Sequence, residues 1–370
     1  MMRLRISALA LVGLLGLGSL AGCTDDGGGD GGDDPGSRAA GPGKVGVILP
    51  DTDSSQRWGS DDPKLLKAAF DDADVPVDIR NAQGDRAEFV RIAESMIAEG
   101  ARVLMIANLD SVSGGAVLEK ARQAGLKTID YDRLTLNGGA DFYVSFDNRA
   151  VGDLQGKGLV RCLTERGAKI PVVASLNGSP TDNNATLFKE GYDAVLQRLY
   201  DEGTYVKGPD QFVTDWEEEE AETVFREMWS QTGKQINGVL AANDTLGGAA
   251  INVLKKDRRN GVVPVTGQDA SVEGLQNILA GDQCMTVYKP IKDEAGAAAD
   301  LAIQLYNGTA PTTRESVKDT ESGGYVPAVL LKPRAVFLAD VGSVITDGFV
   351  EREAVCAGRF AALCDRHGIG

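Results

Sequence analysis

The residues able to do chemistry fall in small groups: Asp51 and Asp53, Asp132 beside Arg133, Asn243 beside Asp244, Gln268 beside Asp269, and Lys289. Charges of both signs are mixed with amides, and Trp58 and Trp216 lie in segments that read as loops. Such a set suits a neutral polyhydroxylated ligand. Each hydroxyl can donate to a carboxylate and accept from an Arg, Lys or amide N–H. The apolar C–H face of a pyranose ring packs on an indole. An anionic ligand would call for several arginines and a glycine-rich phosphate loop. No Gly-x-Gly-x-x-Gly follows a predicted strand, and no P-loop pattern occurs. The single histidine, His367, argues against triads with a central histidine and against zinc catalysis on several histidines. With 54 acidic against 38 basic side chains the formal charge is -16, a poor match for nucleic acid or anionic lipid.

The elements that must position these groups alternate from Lys44 onward. Short β-branched runs read as strands at 44–49, 75–79, 102–107, 126–131 and 142–146. A second set reads at 170–176, 211–213, 238–242, 262–266 and 285–288. Amphipathic stretches separate most of them. Residues 63–73 carry Leu65, Leu66, Ala69 and Phe70 on one side. In 86–99, Phe89, Ile92, Ala93, Met96 and Ile97 share a face, with Gly100 at the C-terminal stop. Strand–helix alternation implies a parallel sheet covered on both faces, and two sets imply two similar α/β domains. In open parallel sheets, ligands bind outside the carboxyl ends of the strands. One strand-end Asp is usually a turn or cap residue. Several of them, in both halves, point to a cleft between domains.

Seven motifs in order along the chain resemble the sugar-binding proteins of bacterial ABC importers, D-xylose-binding proteins in particular. They are Arg57-Trp58, Tyr131-Asp132-Arg133, Ser145-Phe146-Asp147-Asn148, Gly178 to Ala185, Ala242-Asn243-Asp244, Gly267 to Ala270, and Thr286 to Pro290. The resemblance covers about Lys44 to Arg334. It implies a type I periplasmic-binding-protein fold of two Rossmann-like, doubly wound parallel-sheet domains joined by a three-segment hinge. The lobes would comprise 44–146 plus 290–327 and 147–289 plus 328–370, closing on one monosaccharide. It also implies the site residues: Arg57 and Trp58 to contact and stack, Asp132 and Arg133 to grip neighbouring hydroxyls, and Asp182 and Asn184 to bond the ring. Trp216 would be a second platform, and Asn243, Asp269 and Lys289 further hydrogen-bonding groups. Ser145 to Asn148 would be a hinge rather than a contact. No catalytic group, cofactor or metal is implied. The expected partners are a monosaccharide, D-xylose before glucose or ribose, and a membrane permease, with the receptor a monomer. A chemosensory receptor of the same fold and a glycoside hydrolase using Asp132 with Asp269 are the competing readings. The sequence departs from the family in the acidic run Glu217 to Glu220, which reads as a solvated helix N-terminus. The aromatic-rich strand near 211–213 is reduced to Phe212.

Residues 1–22 read as a secretory signal, with Arg3 and Arg5 before an apolar stretch. Its end, Leu20-Ala21-Gly22-Cys23, resembles a bacterial lipobox, so Cys23 is the expected lipidation site. The Gly/Asp-rich stretch 23–43 reads as an extended tether. Its Asp-Gly pairs lack the interleaved aliphatic residues of calcium repeats. The expected location is the outer face of the cytoplasmic membrane. In that oxidising compartment a local bridge between Cys356 and Cys364 is the first expectation. Cys162 and Cys284 then either pair or remain free thiols.

Overall fold

The computed structural model describes residues 43–369. The expected signal, Cys23 and the tether lie outside the described residues. The chain first lays down β1 (Lys44–Leu49), α1 (Asp61–Asp72), β2 (Val77–Asn81), α2 (Arg86–Ala98), β3 (Ala101–Ile106), α3 (Ser111–Gln123), β4 (Lys127–Tyr131) and β5 (Phe142–Phe146). It crosses to a second lobe of α4 (Asn148–Glu165), β6 (Val172–Asn177), α5 (Asn183–Asp201), β7 (Val206–Phe212), α6 (Glu218–Gln231), β8 (Gly238–Ala241), α7 (Asp244–Lys256), α8 (Val272–Ala280) and β9 (Thr286–Tyr288). It returns with α9 (Ile291–Tyr306), β10 (Glu315–Lys318) and β11 (Tyr325–Leu331). It then crosses back with β12 (Arg334–Val336) and the short helices α10 (Val341–Thr346), α11 (Arg352–Val355) and α12 (Ala361–Arg366).

The first sheet has the order β10-β11-β5-β4-β3-β1-β2, parallel except at the β10 edge. Its central strands β1 and β3 are largely buried on both faces, as the near-continuous apolar run Val45 to Leu49 dictates. One face packs under α1 and α9, the other under α2 and α3. The order reverses between β1 and β3, which opens a crevice at their carboxyl ends. The second sheet is led by β7-β6-β8. It continues through single contacts: Thr266 N–H donates to the Val239 carbonyl, Cys284 N–H to Val265, and Val287 N–H to Gly267. Helices α4 and α5 pack so closely that a Cβ on Gly152 would collide with the Phe188 backbone.

Several expectations are corrected here. The run 262–266 is not a strand; only Val265 bridges to Val239, and Pro264 has no N–H to continue a ladder. The first-sheet strand β11 continues to Leu331, paired with Phe146, so the third crossing follows 331 and not 327. Strand β7 begins at Val206, five residues before the expected 211. It is a sheet edge, where Pro209 is tolerated. Strand β2 starts after Pro76 and runs two residues later than its apolar letters suggest. Trp58 and Trp216 each close a single 3-10 turn, Gln56–Trp58 and Thr214–Trp216, instead of an open loop.

Disulfides join Cys356 to Cys364 and Cys162 to Cys284, with Cα–Cα separations of 5.9 and 6.4 Å. The first lies in a small C-terminal core that includes Phe360 and Ile369 and rests on α8 and Tyr288. Among the described residues no helix is long and apolar enough to cross a membrane. No cluster among them has the side chains for a metal ion.

Candidate functional site

Every strand that points at the crevice ends in a tight turn carrying a polar side chain. After β1, Asp51 is committed to the turn itself, accepting from the N–H groups of Asp53 and Ser54 and from the Ser54 hydroxyl. That turn delivers Arg57 and Trp58. After β4 the backbone enters the left-handed region at Asp132 (φ 61). The same holds for Trp216 (φ 62) and Asp269 (φ 100). Non-glycine residues in such conformations cost about 1–3 kcal/mol each and cluster at ligand sites. In the second lobe, Asp182 caps α5 and Asn243 caps α7.

All ten residues expected from the sequence line one cavity: Arg57, Trp58, Asp132, Arg133, Asp182, Asn184, Trp216, Asn243, Asp269 and Lys289. Three lining residues were not foreseen, Ser54, Ser55 and Phe188, and Gln268 was named at a strand end but given no site role. Phe188 lies four residues after Asn184 on α5, one helical turn along the same face, so helical spacing could have found it. Gln268 sat inside a recognised motif. Ser54 and Ser55 carried no signal of their own. Phe212, by contrast, is 40% exposed and does not line the cavity. Asp244 also stays out of it. Its carboxylate accepts from Ser271, Gln283 and Thr286, and burial pushes its pKa up to about 7.

Arg57 is the hub of the cavity floor. Its guanidinium donates to Asp62 through two nitrogens (2.8 and 2.7 Å), to Asp132 (3.0 Å) and to Glu294 (2.6 Å). It also lies over the Trp58 ring, 4.2 Å from the centroid. Arg133 lies over the same ring, 5.6 Å from the centroid, so two cations crowd this indole. The Trp58 Nε1–H has no hydrogen-bond partner among the described residues, and neither does the Gln268 Oε1. Both are buried, so each is an unanswered donor or acceptor beside the cavity.

The two lobes are closed on each other. Arg133 pairs with Asp182 across the cleft at 3.2 Å. Asn184 Nδ2 donates to the carboxylate and the carbonyl of Asp132, both at 3.0 Å. Ser55 Oγ donates to Asp269 (3.1 Å), and Asn243 Nδ2 to the Ser54 carbonyl (3.3 Å). Lys289 stands between Asp132 (3.6 Å) and Asp269 (3.5 Å). The first crossing braces this arrangement. Ser145 Oγ donates to the Asp132 carbonyl and Asn148 Nδ2 to Asn184 Oδ1.

Burial disfavours charge on Asp132, but Lys289, Arg57 and Arg133 outweigh it and hold its pKa below the usual range. Burial likewise opposes charge on Lys289, and Asp132 and Asp269 overcome it, so its pKa is raised. Asp182 is pushed up by burial, against the pull of Arg133. An ionised Asp132 has the chemistry to accept from a hydroxyl, and Arg133, Lys289 and the amides have the chemistry to donate to one.

The periplasmic binding protein domain matches residues 45–310. The chain belongs to the periplasmic binding protein family. Over 311 residues this periplasmic binding protein is 35% identical to the D-xylose-binding periplasmic protein of Escherichia coli strain K12, covering 83% of this chain and 90% of that one. A multiple sugar-binding periplasmic receptor of Rhizobium radiobacter is 32% identical over 84% of this chain and 91% of the relative. Among solved structures, an ABC transporter solute-binding protein from Clostridium phytofermentans with bound β-D-glucose superposes with a TM-score of 0.77 at 27% identity. That match covers 84% of this chain and 99% of the other. The architecture is thus the two-lobed type I periplasmic-binding-protein fold anticipated from the motifs.

Proposed function

We propose that this chain is an extracytoplasmic receptor that captures a monosaccharide between its closing lobes and hands it to an ABC importer. The observation that carries the reading is one cavity lined from both lobes by carboxylates, amides, cations and two indoles. The lining groups come from both lobes, so both must close to present the full set. Ligand binding then favours the closed state, because only closure completes both halves of the hydrogen-bonding shell. D-xylose is the first sugar to try, since the E. coli and Haemophilus influenzae relatives are D-xylose-binding proteins. Other monosaccharides come next, since two further relatives are multiple sugar-binding proteins. Lipidation at Cys23 would hold the receptor at the outer face of the cytoplasmic membrane beside its permease.

The hydrolase reading is disfavoured by electrostatics. Glycoside cleavage needs one carboxyl protonated near neutral pH to act as the acid. Asp132 is held ionised by three cations, and Lys289 stands between it and Asp269.

The test is thermal unfolding of the receptor against a panel of pentoses and hexoses. A ligand at about 1,000 times its dissociation constant adds about 4.1 kcal/mol of stability. D-xylose is expected to raise the midpoint most. A larger shift with another monosaccharide would move the specificity, and no shift with any of them would overturn the reading.

A further inference from the structure

Below the cavity floor lies a carboxyl group with no role so far. Glu294, in the first turn of α9, is fully buried. Its Oε2 accepts from Arg57 at 2.6 Å, while its Oε1 has no partner among the described residues. The charged and titratable groups facing it are Arg57 from the turn after β1, Asp62 from α1, Tyr131 and Asp132 at the end of β4, and Lys289 ahead of α9. Tyr143 on β5 lies farther along the same cluster. In this dry pocket two cations, Arg57 and Lys289, already face Asp62 and Asp132, and Lys289 is shared with Asp269. An ionised Glu294 would be a further negative charge with no further cation. Arg133 is paired with Asp182 on the far side of Asp132.

We propose that Glu294 is a positioning residue that carries a proton in the closed receptor and directs it at Asp132, so that sugar capture is coupled to proton uptake. This rests on the monosaccharide reading of the same cavity and deepens it. Two carboxyls share a hydrogen bond only if one holds a proton. Asp132, kept ionised by its cations, is the acceptor. Burial first, and then the charges of Asp132 and Asp62, push the Glu294 pKa up to about 8, with Arg57 and Lys289 pulling the other way. The shared proton fixes which Asp132 oxygen faces Arg57 and which is left for a ligand hydroxyl. Opening the cleft lets water reach the cluster and eases ionisation of Glu294. The closed, sugar-bound state therefore holds the proton more tightly, and affinity falls as pH rises.

The experiment is calorimetric titration of the full receptor with D-xylose, or the best-binding monosaccharide, at a series of pH values. Wild type, Glu294→Gln and Glu294→Ala are compared in two buffers of different ionisation enthalpy. Wild-type affinity is expected to fall about tenfold from about pH 6.5 to about pH 9.5, the effect of a one-unit pKa difference between open and closed states. Proton uptake should accompany binding near pH 8. Glu294→Gln keeps a donor toward Asp132. It should bind with little change across this range and with no proton uptake, whereas Glu294→Ala should bind weakly throughout. A pH-independent wild type, or a Glu294→Gln profile parallel to it, would overturn the proposal. If no monosaccharide binds at any pH, the receptor reading fails, and unfolding without sugar decides this one. A wild-type midpoint that drops relative to Glu294→Gln between about pH 5 and about pH 8 supports the buried proton; parallel curves over that range reject it.

Discussion

Arg133 of the first lobe and Asp182 of the second meet at 3.2 Å across the cleft, and both are almost fully buried. Arg133 is anchored on its own side by the Asn108 carbonyl and the Ser54 hydroxyl, Asp182 by the Asn184 N–H and the Trp216 indole. The pair is thus a contact between two preformed surfaces, one that exists only when the lobes are shut.

Arg133→Ala should therefore act on closure before it acts on folding. Removing one partner of a buried charge pair weakens binding by about 2 kcal/mol or more, roughly 30-fold in affinity. In small-angle X-ray scattering with saturating sugar, wild type should contract and Arg133→Ala should stay extended. Contraction of both to the same dimension would remove the pair from the closing mechanism.

The position of Trp216 depends on a residue with no side chain. A Cβ on Gly178 would fall inside the Trp216 ring. Gly178→Ala must displace the indole or shift the loop after β6, at about 1–3 kcal/mol for such overpacking. It should lower sugar affinity about as far as Trp216→Ala does. The double variant should bind no worse than Trp216→Ala alone, since both changes act through one ring. Additive losses in a titration of all three variants would contradict this coupling.

Much of this site was legible because its chemistry is local. Asp132-Arg133 and Asn243 each follow a short apolar run, and strand ends in a parallel sheet face the ligand by construction. Arg57, Asp182 and Asn184 became readable only through resemblance. Nothing in their spacing distinguishes a cavity wall from a cap, and Asp182 and Asn243 are in fact also caps. What sequence could not carry is the through-space partnership. Glu294 is 237 residues from Arg57 and reads as an ordinary acidic first-turn residue. The absent strand at 262–266 has a similar origin. Its β-branched letters satisfy propensity, while the pairing is limited by Pro264 and by a single bridging contact at Val265.

The pH dependence of folding should be asymmetric. Asp130 and Asp244 are pushed up to about 7 and Glu294 to about 8, burial being the first cause in each case. An acid whose folded pKa exceeds its unfolded value binds its proton more tightly when folded. The stability it lends at low pH is lost as pH climbs through the folded value. Asp132, Asp78 and Asp210 are shifted down, with burial opposed and overcome by neighbouring cations and hydrogen-bond donors. Their stabilisation is present above the unfolded value and is lost as pH falls below about 4. Urea unfolding at a series of pH values should give a maximum near about pH 4, a decline from there to about pH 8, and a levelling above it. A plateau across the whole of that range would mean that these buried acids ionise without penalty.

The two disulfides should differ in weight. Cys162 on α4 and Cys284 just before β9 are 122 residues apart, so their bridge ties the start of the second lobe to its last strand. In the chain-entropy view, closing a loop of that size removes about 5 kcal/mol of freedom from the unfolded chain. Cys356 and Cys364 are only 8 residues apart, and the same relation gives about 2.5 kcal/mol. Cys162→Ser/Cys284→Ser should therefore lower the unfolding free energy about twice as much as Cys356→Ser/Cys364→Ser. The sites of damage should differ too. Hydrogen exchange should rise across α4 and β6 in the first variant, because Cys162 and Cys284 pack with the core of the second lobe. In the second variant it should rise in α10 to α12 and spare the cleft, because Cys356 and Cys364 belong to the separate C-terminal cluster. Sugar affinity should survive loss of the C-terminal bridge. If it collapses instead, the segment from Val341 onward helps to set the closed state through Tyr288, the residue that immediately precedes Lys289.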